Sequence, residues 1–136
     1  LIQQLIAADV SAVVFSINPV TQNINEIVIN ANLGIGESIV DGQVTPDTYI
    51  VDKTDMTIKS IDIATKQTMS IIANNGTQSV AVPRLMADQQ AMTDEQIIQT
   101  AQMAMRIENQ TKWSADIECA WKDEKLYLLQ CRPVTS

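Results

Sequence analysis

The 136-residue chain has few or no residues of several types, and each shortage excludes a kind of function or partner. It contains no histidine, so these residues cannot hold a histidine-borne covalent relay. It has only 9 Lys and Arg against 16 Asp and Glu, which gives a formal net charge of −7. Nucleic-acid binding draws on clustered basic side chains, so we expect no nucleic acid among its partners.

Long apolar runs are also missing. No segment approaches the roughly 20 apolar residues that a helix needs to cross a bilayer. The short apolar start at residues 1–10 lacks a basic leader and a cleavage site. From the sequence we therefore expect no membrane association and a cytoplasmic location.

The hydrophobic content of 46% is enough for one domain with a core. Thr93 followed by Gln96 predicts the start of a helix over about residues 94–109, whose apolar residues recur with a period of 3.6. Short runs rich in β-branched residues, separated by polar turns, predict strands. These predicted strands cover residues 10–15, 26–30, 48–52, 58–63, 68–72 and 79–82.

The C-terminal segment predicts a β-hairpin of residues 115–121 and 126–133. Its register decides which side chains share a face, because a one-residue slip turns every side chain to the other side. A three-residue tip, Asp123-Glu124-Lys125, places the polar groups of both strands on one face and leaves the apolar groups to a core. We therefore predict this tip.

In that register Glu118 lies opposite Gln130 and Asp116 lies opposite Arg132, all on one face. Four convergent polar groups are costly to bury without partners, so they should meet water, one another or a ligand. One interpretation is a solvated face that carries a cross-strand ion pair and a hydrogen bond. The other is a magnesium site, because Mg²⁺ prefers oxygen ligands and a carboxylate facing an amide oxygen supplies two.

The glycine-containing segment 34–38 also has two interpretations. Glycines before a short helix can bring backbone N–H groups close to an anion. Alternatively, they form a tight turn, and Glu37 interacts favourably with the dipole in the first turn of a helix.

Three blocks of the sequence, in this order, match motifs of one known family. They are residues 11–16 with Asn18-Pro19, residues 30–37 with Pro46-Asp47, and residues 116–118 with 125–135. The blocks resemble the ATP-grasp nucleotide-binding domain of phosphoenolpyruvate synthase, pyruvate phosphate dikinase and rifampicin phosphotransferase. The resemblance implies an α+β fold, mostly antiparallel sheet with one long helix and a C-terminal hairpin.

The resemblance further implies that residues 1–136 are a partial domain, the C-terminal half of an ATP-grasp domain. The missing N-terminal half would carry the glycine loop that covers the phosphates. A separate phosphohistidine domain would carry the phosphoryl group, which this histidine-free chain cannot do. We therefore expect the isolated chain to be inactive.

By the same resemblance, Glu118 and Gln130 bind Mg²⁺ that bridges the phosphates of ATP. Arg132 neutralises charge on the transferred phosphoryl group, and Asp116 orients Arg132 or the water around the metal. These four residues form the implied catalytic and metal site.

The resemblance also places Gln4, Leu5 and Ile6 beside the adenine, where the backbone of Leu5 and Ile6 would hydrogen bond to the base. The implied function is the ATP- and Mg²⁺-binding portion of a phosphotransferase whose acceptor is pyruvate, a drug hydroxyl or another small molecule. The alternative is a non-catalytic β-rich binding or regulatory module with a surface ion-pair cluster.

Overall fold

A computed structural model describes residues 9–34, 45–66, 68–73, 76–83 and 87–134. The described chain is α+β, with a six-stranded antiparallel sheet, a two-stranded ribbon and one long helix, α1 (Asp94–Thr111). The strands are β1 (Val10–Phe15), β2 (Glu26–Leu33), β3 (Asp47–Asp52), β4 (Thr57–Asp62), β5 (Thr68–Ala73), β6 (Gly76–Ala81), β7 (Ala115–Lys122) and β8 (Lys125–Pro133).

The large sheet has the strand order β4-β3-β2-β1-β7-β8, and β5 pairs with β6 in the ribbon. Every strand predicted from the sequence is present, with ends that differ from the prediction by up to three residues. No helix in the described ranges is both long and apolar enough to cross a membrane.

The core lies between α1 and one face of the large sheet. Val14 pairs with Ile29 on one side and Ile117 on the other, and all three side chains are fully buried. Burying each such side chain contributes about 1.5–3 kcal/mol. Side chains alternate along a strand, so the residues between these core positions point to the other side of the sheet, which we call the distal face.

Helix α1 begins as the sequence predicts. The N-cap Thr93 accepts a hydrogen bond from the Gln96 backbone N–H at 3.1 Å, and the Gln96 side chain accepts one from the Thr93 N–H at 3.0 Å. The helix ends two residues later than the predicted 109, at Thr111, before Lys112 adopts a left-handed conformation with φ 66°. Its buried face is Ile97, Thr100, Ala101, Met103 and Ala104.

A buried ion pair of Asp47 and Lys66, with Tyr49, ties β3 to the segments that flank the ribbon; we call this the Asp47 network. Oδ1 of Asp47 accepts hydrogen bonds from Lys66 Nζ at 2.8 Å and from the Ala64 N–H at 2.9 Å. Oδ2 accepts from the Tyr49 hydroxyl at 2.7 Å and from the Ala91 N–H at 2.8 Å. Burial, followed by the bond to Asp47, raises the pKa of Tyr49 well above its ordinary value.

The C-terminal hairpin has the predicted residue pairs but a different tip. Glu118 pairs with Gln130, and Asp116 with Arg132. The predicted three-residue tip is wrong, because Lys122 pairs with Lys125 and only two residues turn the chain. Both have positive φ, 51° and 64°, as a type I′ turn requires.

A β-bulge explains how an even-numbered tip keeps the polar residues together. The register shifts between Glu118 and Cys119, so that Cys119 pairs with Leu128 while Glu118 pairs with Gln130. Leu129 is therefore the extra residue on β8, and this insertion reverses the change of face that the two-residue tip imposes. The polar groups of both strands thus share the distal face.

Candidate functional site

The four polar residues predicted from the hairpin lie together on the distal face, at the edge formed by β7 and β8. Asp116 and Glu118 alternate with the core residues Ala115, Ile117 and Cys119, which are at most 1% exposed. The regular alternation of β7 therefore fixes the direction of both carboxylates.

Arg132 contacts both carboxylates; we call Asp116, Glu118, Gln130 and Arg132 the Arg132 cluster. Arg132 Nη2 donates to Glu118 Oε1 at 3.1 Å, and Arg132 Nε lies 3.8 Å from Asp116 Oδ2. The Arg132 side chain is 51% exposed, against 26% for Asp116 and 24% for Glu118. The cluster is therefore open to solvent on the guanidinium side.

Apolar residues border this cluster on the distal face. Val13 of β1 pairs with Glu118, and Phe15 pairs with Asp116. Beyond Phe15, the same transverse row continues through Val28 to Ile50. Val28 is buried, so the partly exposed apolar surface beside the cluster comes from Val13 and Phe15 and, further along, Ile50. Such surface could contact an apolar part of a ligand whose charged part lies at the cluster.

The oxygen atoms of the Arg132 cluster suit Mg²⁺ only if a ligand completes the site. Among the described residues, no group of three or more His, Cys, Asp or Glu side chains could hold a metal. Mg²⁺ is commonly bound by one or two protein carboxylates together with phosphate oxygens and water. Glu118 and Gln130 could supply two oxygens to such a shared site.

A second charged pair lies across the sheet on the distal face. Lys59 Nζ is 2.5 Å from Glu26 Oε2, and Asn18 Nδ2 donates to Glu26 Oε1 at 2.9 Å. The hydrogen bond from Lys59, followed by that from Asn18, lowers the pKa of Glu26. The same contact raises the pKa of Lys59, so the two groups stabilise each other's charged forms.

An open groove of about 550 Å³ lies elsewhere, at the C-terminal end of α1. Two of its charged residues are paired with each other, because Glu108 accepts a hydrogen bond from Lys53 Nζ at 2.8 Å, and it accepts another from Ser16 Oγ at 2.6 Å. Ser16 follows the core face of β1, so this groove is separated by the sheet from the Arg132 cluster. We place the candidate site at the cluster, where a guanidinium is exposed.

Several predicted features fall outside the residues that the structure describes. They are Gln4, Leu5 and Ile6, and all but Gly34 of the segment 34–38. Their roles stay predictions.

The sequence prediction missed two residues that belong to the same face. Asn30 of β2 pairs with Val13, and Thr48 of β3 pairs with Asn30, so both extend the transverse row of Glu118. The available signal was the alternation of β2, in which Asn30 and Asn32 interrupt a run of apolar residues. It shows a polar face but not which strands lie beside it.

Comparison with known proteins identifies relatives over nearly the whole chain. A probable phosphoenolpyruvate synthase of Pyrococcus abyssi is 45% identical over 145 residues, which cover 99% of this chain and 18% of the relative. The phosphoenolpyruvate synthase of Pyrococcus furiosus is 44% identical, with the same coverage. An uncharacterized phosphotransferase of Bacillus subtilis, YvkC, is 38% identical over 99% of this chain and 16% of its own length.

The chain thus spans less than a fifth of each of these three relatives. The model of the pyruvate phosphate dikinase AMP/ATP-binding domain matches residues 1–136. The chain therefore belongs to the pyruvate phosphate dikinase AMP/ATP-binding domain family.

Proposed function

We propose that this chain is the ATP- and Mg²⁺-binding portion of a phosphotransferase that moves a phosphoryl group from ATP towards a small-molecule acceptor. The observation that carries the proposal is the Arg132 cluster, in which two carboxylates, an amide and a guanidinium share one face of the hairpin. The similarity to phosphoenolpyruvate synthases supports the same function, with pyruvate or another small molecule as the acceptor.

In this proposal Glu118 and Gln130 are the protein ligands of Mg²⁺. The register places them directly opposite each other, so one ion between β7 and β8 can contact a carboxylate oxygen and an amide oxygen. A carboxylate has about four lone-pair sites, so Glu118 can keep its bond to Arg132 while it binds a metal. Bound Mg²⁺ would neutralise charge on the phosphates.

Arg132 is the residue that contacts the transferred phosphoryl group. Its contacts with Glu118 and Asp116 use Nη2 and Nε, and Nη1 takes part in neither. A guanidinium presents a rigid fork of donors, which suits phosphate oxygens. Asp116 holds one side of that fork and is a positioning residue.

The remaining parts of the proposal concern what surrounds the cluster. We propose that residues 1–136 are part of a larger ATP-grasp domain, that Gln4, Leu5 and Ile6 lie beside the adenine, and that a separate phosphohistidine domain takes up the phosphoryl group. A cytoplasmic location is part of the same proposal. The proposed phosphotransferase uses ATP, and this requirement supports a cytoplasmic location.

The second candidate function is a non-catalytic β-rich binding or regulatory module. It is favoured by one observation, namely that Arg132 contacts both carboxylates of β7, Asp116 and Glu118. In that case the cluster is a surface ion-pair network, and the binding of Mg²⁺ or ATP does not depend on it.

Calorimetric titration of ATP into the full-length protein that contains these residues distinguishes the two functions. We expect Mg²⁺ to strengthen ATP binding, and Glu118→Gln to remove most of this strengthening because it deletes the ligand's charge. Lys125→Gln, an exposed change at the far end of the same hairpin, is the control and should leave binding unchanged. ATP binding that is equally strong with chelator, or unchanged in Glu118→Gln, would support the module instead.

A further inference from the structure

The transverse row that contains Glu118 continues past the proposed metal site to Asn30. We propose that Asn30, oriented by Thr48, is a binding residue that donates a hydrogen bond to the phosphate chain of Mg²⁺-bound ATP. The inference rests on the proposed function, because the metal ligands Glu118 and Gln130 fix one end of the row.

The register of four strand pairs builds this row. Gln130 pairs with Glu118, Glu118 with Val13, Val13 with Asn30, and Asn30 with Thr48. Neighbouring strands lie about 4.8 Å apart, so the Cα atoms of Glu118 and Asn30 are about 10 Å apart across Val13. A phosphate chain that starts at a metal near Glu118 and runs along the row therefore comes within reach of the Asn30 amide.

The contact with Thr48 determines which end of the Asn30 amide is available. Thr48 Oγ1 donates to Asn30 Oδ1 at 3.1 Å. This bond turns the amide oxygen towards Thr48 and leaves the nitrogen, a donor only, as the group that can meet an anionic ligand. A donor suits an anionic phosphate oxygen.

The charges along the row limit where the phosphates can lie. Arg132 stands beside the Glu118 end, and the small apolar Val13 lies between Glu118 and Asn30. The residue beyond Thr48 is Asp62, whose carboxylate would repel a phosphate. The stretch that is compatible with phosphate therefore runs from Glu118 to Asn30.

The position of Asn30 in the sheet also calls for a functional explanation. Asn is depleted in strands, and β2 is a central strand with a neighbour on each side. Its neighbours Ile29 and Ala31 are fully buried on the core face, whereas Asn30 and Asn32 lie on the distal face, and Asn30 is the more exposed of the two. A ligand contact gives the amide a role that packing does not.

Asn30→Asp in the full-length protein is the decisive variant. It keeps the oxygen that accepts the Thr48 hydrogen bond, so a purely structural role predicts normal ATP affinity. It also removes the amide donor and adds a negative charge, so a phosphate contact predicts Mg²⁺–ATP binding that is weaker by about tenfold or more. Asn30→Ala should weaken binding by less, because it removes the donor without adding repulsion.

Two further variants complete the experiment. Thr48→Val removes the hydroxyl that orients the amide and should weaken Mg²⁺–ATP binding by a smaller factor than Asn30→Asp. Ser60→Ala, an exposed change that pairs with Ile50 on the distal face, should leave affinity unchanged. Thermal melting of every variant reports whether the protein is folded.

The outcomes separate this inference from the proposed function. If Glu118→Gln abolishes the Mg²⁺-dependence of ATP binding but Asn30→Asp binds like the unmodified protein, the inference about Asn30 is wrong and the proposed function stands. If neither variant changes ATP binding, the proposed function fails as well. Weakening in the order Asn30→Asp, Asn30→Ala, Thr48→Val supports the inference.

Discussion

The Asp47 network and the Arg132 cluster use the same chemical groups in opposite surroundings. The side chains of Asp47 and Lys66 are both 0% exposed, and each oxygen of Asp47 accepts two hydrogen bonds. Arg132 is 51% exposed, and its two carboxylate contacts measure 3.1 and 3.8 Å. One set of charges is satisfied within the fold, and the other remains accessible.

This difference separates groups that maintain the fold from groups that can bind a ligand. A buried ion pair is tolerated only when its hydrogen bonds are complete, because an unpaired buried charge carries a large desolvation penalty. An exposed ion pair contributes about 0–1 kcal/mol to stability, and water or a ligand can replace it. The Arg132 cluster is therefore free to exchange partners without risk to the fold.

The largest expected effect tests whether the exposed cluster is sufficient for catalysis. We expect the isolated 136-residue chain to show no ATP-dependent phosphotransfer. Arg132 and the distal face would meet the phosphates from one side only, so the charges are incompletely neutralised and the site is open to water. The measurement is ATP turnover against a metal-chelated control, and turnover above that control would refute the prediction.

The next effect concerns the buried pair. Lys66→Met should lower the free energy of unfolding by about 3–5 kcal/mol, because it leaves the buried Asp47 carboxylate without its cation. Urea denaturation measures the loss. Arg132→Met is the matched control, since it removes one cation from an exposed cluster, and it should change the free energy of unfolding by about 1 kcal/mol or less. Equal losses in the two variants would contradict the distinction between the regions.

The two regions also differ in how far the sequence predicts them. The pairs of the Arg132 cluster follow from local alternation, because Asp116 and Glu118 interrupt the apolar residues of one strand. The tip was mispredicted because a bulge at Leu129 leaves no mark within an apolar run. The argument that polar and apolar side chains occupy opposite faces of the hairpin thus predicts the correct residue pairs but an incorrect turn.

The Asp47 network has no comparable local signal. Asp47 bonds to Lys66, 19 residues away, and to Ala91, 44 residues away. Asp47 was predicted only as part of a motif, without a partner. The row from Glu118 to Asn30 was missed for a similar reason, because it depends on the register of several strand pairs at once.

The smallest expected effect uses the pair of Glu26, whose side chain is largely buried, and Lys59, whose side chain is exposed. Lys59 lowers the pKa of Glu26 below 4.5, so their attraction stabilises the fold above that pH and is lost as acid protonates Glu26. The stability difference between the unmodified protein and Lys59→Met should therefore shrink as the pH falls below 4.5. Urea denaturation at several pH values measures this stability difference. Added salt should reduce the difference further, because it screens the attraction between the two charges.

A pH-independent difference between these two proteins would show that the Glu26–Lys59 pair does not contribute through its charge. The Asp47 network should behave differently: salt should have little effect on the free energy of unfolding that Lys66→Met removes. Buried pairs are screened far less than exposed ones.

The most direct test of the account is the Mg²⁺ dependence of turnover in full-length protein carrying Glu118→Gln or Arg132→Ala. Both should lose most activity, by a factor of about 10²–10³, the usual loss when one group that stabilises a transition state is removed. Glu118→Gln should raise the Mg²⁺ concentration needed for half-maximal activity, while Arg132→Ala should lower kcat with ATP still bound. If both variants only lower thermal stability and leave kcat and the Mg²⁺ requirement unchanged, the cluster is a structural ion-pair network.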